Sequence, residues 1–532
     1  MSPQTDRFLR KKVAIVGSGS AGIGALWALN KTYHDVYVYE ASDRFGGHTN
    51  TVEFKKGKFS TKVDTGFHVL NAASYPFKLT KLLSANFLRF LDKINVKTAP
   101  TNLTFSVSQN RGAFEWAGIN PTSLFCQRRN LLSPRMWRML FDIIRFNQFA
   151  LDILDDNEDD ISSIEVLSRA TNCTCKDITI GQYLELEGYS QAFKDGYLLP
   201  LAASIFSTSP DKCSLEFPAA TFVRFLWNHH LLNIVRARPQ WLTIEGGSKS
   251  YIDAVMKGFP PNHLFLKTPV RHVTTESNGQ VRLHLENGTS ALYDHVILAT
   301  HGDEAYDIVK SSATEQERSI MSSFKTSQNE VVLHSDLDMM PRRKKAWASW
   351  NYLAMATPSS RKGNINQVSL TYNMNILQHI PRNTFGDVLV TLNPLQRPKP
   401  GKTQGRYYYS QPVYTSSAVR AQKLLKHIQN TRGISYAGAW TKYGLHEDGF
   451  SSGLEVAQDH LGAKLPFEFV DSTYSKGKIP RLGLLDHLLR LIILVIQVFV
   501  IQILERLVGS APSPRQRLVN GNRVRFANGK HR

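Results

Sequence analysis

An α/β fold built on a parallel sheet is predicted by three features near the start of the chain. Val13–Val16 is a short, wholly apolar run, the pattern of a strand buried on both faces. It leads directly into Gly17, Gly19 and Gly22, spaced G-x-G-x-x-G, and an apolar helix-like stretch. A second short strand, Val36–Tyr39, ends on Glu40. In this arrangement the first glycine makes the tight turn. The second lets backbone approach a pyrophosphate, and the third lets helix and strand pack closely. The helix N-terminus then faces the phosphates with free N–H groups and its positive dipole end. A carboxylate at the end of the second strand can accept bonds from a ribose. The glycine turn alone would say little. Strand, turn, helix, strand and acid together read as a Rossmann-type dinucleotide site.

The residues that follow bear on which dinucleotide is bound. Glu40, Arg44, Gly46 and Gly47 form E-x-x-x-R-x-G-G, and Val63-Asp64-Thr65-Gly66-Phe67-His68 lies a little further on. Ile434–Trp440 contains Ala437-Gly438, and Gly444–Ala457 contains His446, Asp448, Gly449, Ser452 and Gly453 in a G-x-x-S-G-x-x-x-A frame. Val270–Val273 and Asp294–His301, with Ala299, lie between the two ends. In this order the motifs resemble the FAD enzymes of the amine oxidase and phytoene desaturase superfamily. The resemblance implies FAD as cofactor. It implies that Gly17, Gly19, Gly22, Glu40, Arg44, Gly46, Gly47, His48, Asp64, Gly66, Val270, Ala299, Gly438, Asp448, Gly449, Ser452 and Gly453 bind it. Further segments, Arg238–Ser248, Trp347–Tyr352, Thr371–Gln378 and Val390–Pro394, resemble one subfamily of amine-oxidase-like proteins. Some of its members are fused to, or encoded beside, cyclopropane fatty-acid synthase-type methyltransferases. The resemblance runs from about Val13 to Leu465. It departs at Gln411, where a histidine is expected.

The resemblance implies a discontinuous FAD-binding domain of residues 11–84, 246–308 and 433–465. An inserted α+β substrate domain of 85–245 and 309–432 would cover the flavin. Leu131–Leu154 has helical spacing of apolar and aromatic residues, and Asp155–Asp160 reads as a solvated acidic loop.

Bulk properties bound the partners. Hydrophobic content of 42% against 20% charged residues is that of a folded globular chain. The net charge of +20 suits an anionic partner. No nucleic-acid module accompanies it, so an anionic membrane surface is expected and nucleic acid is not. The four cysteines, Cys126, Cys173, Cys175 and Cys213, are too few and too irregular for a disulfide framework or a zinc site. His229-His230 lacks a third ligand at a convincing spacing, so no metal is expected. Met1–Lys12 has no apolar run, so no secretory signal is expected.

Leu488–Leu504 is the most apolar stretch, interrupted by Arg490, Gln497 and Gln502. A span needs about 20 apolar residues, with a lower limit near 17. A membrane-associating helix over 484–508 is expected, followed by a basic tail over 510–532, with the catalytic part facing the cytosol. Spanning and in-plane binding both fit.

In this architecture a flavin carries the redox chemistry. Resemblance puts Trp440, Tyr443 and His446 near it as catalytic residues. His446 would be the acid/base, since imidazole titrates near neutral pH. Trp350, Asn351 and Tyr372 are expected in the substrate pocket. The reading is an FAD-dependent oxidoreductase acting on a hydrophobic, lipid or isoprenoid-like substrate. A flavin amine oxidase and a non-catalytic flavoprotein partner of a lipid-modifying methyltransferase are the alternatives.

Overall fold

Val13–Val16 lies at the centre of a parallel sheet, as its unbroken apolar character requires. The computed structural model describes residues 10–71, 85–154, 178–206, 215–232, 240–356, 365–471, 482–501 and 503. The five strands of this sheet are β1 (Lys12–Val16), β2 (Asp35–Tyr39), β3 (Leu264–Phe265), β4 (His295–Leu298) and β5 (Ile434–Tyr436). They run in the order β3-β2-β1-β4-β5, all parallel, with Ala14 beside Tyr37 on one side and Val296 on the other. Val13 and Ile15 face one core cluster; Ala14 and Val16 face another. Covered on both faces, the strand has no polar side to show.

Helix α1 (Ser20–Leu29) follows the glycine turn. Its neighbour is α3 (His446–Leu461), which comes far later in the chain, after α2 (Pro134–Phe149). Small residues let α1 and α3 touch through their backbones. A Cβ on Gly24 would lie 2.5 Å from the Phe450 carbonyl oxygen, and one on Gly453 would overlap that of Ala21.

A second, seven-stranded mixed sheet is assembled from Phe105–Ala117 and Thr326–Pro412. Its strand Trp350–Ala356 pairs parallel with Phe105–Gln109 and antiparallel with Ile365–Asn373. A helical layer that includes α2 and Ala219–Asn228 packs around Phe146, Phe193, Phe206 and Phe225. The helix expected over 131–154 is α2, flanked by 3-10 turns at Arg128–Leu132 and Ala150–Leu154. Pro134 opens it, because the missing N–H costs nothing there, and the Ser133 side chain accepts from Met136 N.

Among the described residues one helix is long and apolar enough to cross a membrane, Leu484–Ile501. It comprises α4 (Leu484–Ile496) and a π-helical turn, Gln497–Ile501. The acidic stretch 155–160, Cys173, Cys175, Cys213 and the basic tail lie outside the described residues.

Candidate active site

A cavity of about 820 Å³ opens at the carboxyl edge of β1, β2 and β4, where open α/β sheets bind ligands. Gly17, Gly19, Glu40, Gly46, Gly47, His48, Gly66, Val270, Ala299 and Gly438 all line it. Gly17 turns the chain at φ +97°, and a Cβ there would sit 2.7 Å from the Ala299 carbonyl oxygen. Gly22 is held against the Gly17 carbonyl, where a Cβ would overlap it. Gly19 differs: a Cβ would meet nothing within 4 Å. Its bare backbone faces the open cavity at the start of α1.

Glu40 is already oriented. One carboxylate oxygen accepts from Ser18 N at 2.9 Å and from the Ser18 hydroxyl. The other accepts from Ser42 N at 2.9 Å and the Ser42 hydroxyl at 2.7 Å. Its four lone-pair positions are used, so a ribose hydroxyl would take over the place of a serine hydroxyl.

Several residues expected to bind cofactor hold the cradle instead of lining it. Arg44 donates to the carbonyls of Gly47, at 2.7 Å, and Thr49, at 3.3 Å, and so shapes the loop. Asp64 is fully buried. It accepts from Thr51 Oγ1 at 2.5 Å, Ser248 N at 2.9 Å, Ser248 Oγ at 2.8 Å and Gln378 Nε2 at 2.9 Å. Burial nevertheless pushes its pKa up to about 6. Asp448 accepts from Leu445 N at 3.0 Å and caps α3. Ser452 Oγ accepts from Gly438 N at 2.8 Å. Gly449 is pressed against Ser20, and Gly453 against α1. The closing motif therefore fixes one helix against another and fixes the turn at Gly438.

His446 lines the cavity, but as a fixed wall. Its ring stacks on Phe67 with centroids 3.8 Å apart and planes 13° apart. Its Nε2 lies 3.0 Å from the Tyr251 hydroxyl, which is 2.7 Å from Thr49 Oγ1. Burial, with a smaller contribution from His48, pulls its pKa down to about 3. A neutral, engaged imidazole does not titrate near pH 7, so the acid/base role expected of His446 does not suit this geometry. Trp440 and Tyr443 also line the cavity, and Trp440 Nε1 donates to the Thr300 carbonyl at 3.0 Å.

His48 is likewise neutral, its pKa lowered to about 3 by burial and then by His301 and Arg44. Among the described residues its Nε2 is buried without a hydrogen-bond partner, as are His68 Nε2 and Trp350 Nε1, and all three residues line the cavity. Trp350 and Tyr372 thus fall where the sequence places them, while Asn351 does not. Its amide is spent on Ser106, Ala348 and Thr371 inside the second sheet. Gln411 lines the cavity where a histidine is expected.

Sequence reasoning missed His68, His301, Tyr409 and Tyr251. A signal existed for His301, two residues beyond Ala299 at the carboxyl end of a core strand. None existed for Tyr251, whose hydroxyl matters only through the approach of Thr49 and His446. The apolar wall from Leu103, Phe105, Leu201, Ile205, Phe206, Phe225 and Leu231 was missed too, since these residues read as ordinary core.

The cradle fits FAD. Bare backbone at Gly19, an oriented acid at Glu40 and orphaned polar atoms beyond them suit an extended dinucleotide with a flat ring system. The model of the family described as flavin containing amine oxidoreductase matches residues 20–328. "Probable flavin-containing monoamine oxidase A" of Dictyostelium discoideum is 21% identical over 292 residues, covering 54% of this chain and 56% of that protein. The chain thus spans about half the length of that curated relative. Among solved structures, cyclohexylamine oxidase from Brevibacterium oxydans IH-35A matches at TM-score 0.56 and 13% identity, over 84% of this chain and 98% of that one. The CLA-producing fatty acid isomerase from P. acnes matches at TM-score 0.54 and 13% identity, over 86% and 100%. At such identities the likeness is one of fold. The family match is what assigns FAD to this cradle, and by that match the chain belongs to the flavin-containing amine oxidoreductases.

Proposed function

We propose that this chain is an FAD-dependent oxidoreductase whose substrate is hydrophobic, of lipid or isoprenoid-like character. The observation that carries the reading is the apolar wall supplied by Leu201, Ile205, Phe206, Phe225 and Leu231. Among the described residues the acids lining the cavity are Glu40, Glu304, Asp307 and Glu447, and none comes from this wall. Each square ångström of apolar surface buried there contributes about 25 cal/mol to binding. When bound, FAD accepts or returns a hydride. The chain's own part is to exclude water and to place the substrate. His48 and Trp350 border the cavity beside that wall without adding a charge.

A second reading is an amine oxidase. It is favoured by Trp350 and Tyr372, whose rings stand 5.5 Å apart at 84°, and by the amine oxidases among the relatives. With no carboxylate among the described residues of that wall, the amine would enter neutral.

Anaerobic bleaching of the flavin band near about 450 nm separates the readings, since the flavin is the redox centre. Bleaching by membrane lipid extract, and not by a panel of amines, is the expected result. Bleaching by amines alone overturns the lipid reading. Bleaching by neither would point to a non-catalytic flavoprotein partner of a lipid-modifying methyltransferase.

A further inference from the structure

Helix α4 is arranged inside out. Its covered positions are Leu489, Arg490, Ile493, Ile496 and Gln497, spaced as one helical face. That face carries the polar residues. Arg490 pairs with Asp152 at 2.8 Å, donates to the Gln148 carbonyl and lies 5.0 Å from the Phe149 ring centroid. Gln497 Oε1 accepts from Arg145 of α2 at 3.1 Å. Apart from Asp486 and His487 in the first turn, the remaining surface is apolar. Leu484, Leu488, Leu491, Val495, Val498 and Phe499 are between 46% and 86% exposed. A surface helix in water shows the reverse pattern.

The apolar surface continues onto α2. Trp137 and Ile144 are exposed on its outer face, with Phe141 half-buried between them. Leu131 and Leu132 lie exposed just before it. A patch of this kind on two adjoining helices marks an interaction surface.

Two observations favour a bilayer and set its geometry. The chain carries a net charge of +20, with Arg515, Arg517, Arg523, Arg525, Lys530 and Arg532 following the apolar run in sequence. Basic clusters of this kind attract anionic lipid headgroups. If α4 crossed the bilayer while docked, it would carry α2 into the hydrocarbon together with the Arg138–Asp142–Arg145 ion pairs. Charges at that depth are costly. Lying in the interface, α4 places only its outer face in lipid.

We propose that α4 and the outer face of α2 form one in-plane membrane-binding surface, seated on an anionic phospholipid bilayer. Phe146 on the inner side of α2 shares a cluster with Phe206 and Phe225, which wall the cavity. The bilayer would then lie across that cluster from the cavity wall, an arrangement whose use for lipid supply rests on the hydrophobic-substrate reading. The surface itself does not rest on that reading, and its test reads no activity.

The full chain with FAD bound is mixed with phosphatidylcholine–phosphatidylserine vesicles carrying brominated acyl chains, and tryptophan fluorescence is followed. Trp137 is one of eight tryptophans, so the wild type is compared with Trp137→Phe. Quenching should be stronger with bromines near the headgroup than near the terminal methyl, and Trp137→Phe should lose most of it. Arg490→Gln, which breaks the pair with Asp152, should keep vesicle binding but lower Trp137 quenching several-fold. Retained FAD in both variants shows that they fold. Equal quenching in wild type and Trp137→Phe overturns the proposal, because the domain then stands away from the lipid. A chain that ignores vesicles and sediments as a dimer overturns it too, since the patch is then a self-interface.

Discussion

The Tyr251 hydroxyl lies 3.0 Å from His446 Nε2, joining a helix after the first half of the Rossmann-type domain to the N-terminus of α3. The same hydroxyl reaches Thr49 at 2.7 Å, so one buried oxygen ties three segments of the cradle together. Tyr251→Phe leaves Thr49 Oγ1 and His446 Nε2 without that partner. A loss of about 1–3 kcal/mol in stability is expected, read as a lower urea midpoint at pH 7. The flavin absorption band should sharpen or shift with it, because His446 lines the cavity.

Acid should destabilise the protein well above the carboxylate range. Burial is the main cause that holds His48, His446 and His295 at about 3, and His68 and His334 at about 4. An unfolded imidazole titrates near ~6.5. Below that pH the unfolded chain binds protons that the folded chain refuses. Each such histidine then removes about 1.4 kcal/mol of stability per pH unit, down to its folded pKa. Asp64, raised to about 6, acts in the opposite sense. The folded chain protonates it first, so it adds stability as pH falls from 6 towards the unfolded value of about 3.9. His284 and His460 are lowered as well, and Asp195, Glu447 and Glu455 are raised with Asp64, so seven histidines against four acids leave a net loss between roughly pH 6.5 and 4. Urea midpoints at pH 7 and pH 5 should differ accordingly, and His446→Asn should flatten the slope by one proton.

Gly19 and Gly453 should separate binding from folding. An alanine at Gly19 meets no atom of the described residues within 4 Å and has an ordinary φ of −65°. Stability without cofactor should change by less than about 0.5 kcal/mol. The methyl occupies the cradle, however, and FAD retention should fall more than about tenfold, or 1.4 kcal/mol. An alanine at Gly453 drives into the Ala21 carbonyl and parts α1 from α3. It should cost about 1–3 kcal/mol in the protein without cofactor. Thermal denaturation with and without FAD distinguishes the two.

Glu40→Gln replaces one acceptor oxygen by an N–H₂ group facing serine donors. Ser18 or Ser42 loses a partner, and the glycine turn loses its alignment with β2. FAD affinity should drop by about 10- to 100-fold, an energy of about 1.4–2.8 kcal/mol. A flavin fluorescence titration of the protein without cofactor measures it.

The elements most readable from sequence were those with one dominant local cause. Val13–Val16 needed only its apolar run, and Gly17, Gly19 and Gly22 needed only their spacing. Gly453 and Asp448 were readable as important but not as what they are. Their spacing marks a helix start near a cofactor, whereas the reason for a glycine at 453 is the Ala21 carbonyl, hundreds of residues away. Asp64 follows the same rule: a carboxylate in a flavin-type motif, it is consumed by Thr51, Ser248 and Gln378. Leu488–Leu504 was readable as apolar. That Arg490 and Gln497 face inward could be known only from the positions of Asp152 and Arg145.

The order of synthesis gives the discontinuous sheet a further cost. β1 is made first, but its neighbour β4 begins at His295, and β4 itself waits for Ile434. The glycine-rich side of α1 has no partner until Phe450 and Gly453 leave the ribosome. Throughout that interval β1 has β2 beside it and Trp27 can meet Phe90, but the edge of β1 that pairs with β4 and the face of α1 that meets α3 stay open. Domains whose central contacts close so late pass through aggregation-prone intermediates. The flavin cradle is thus completed only with the last third of the chain, although its glycine turn is among the first segments made.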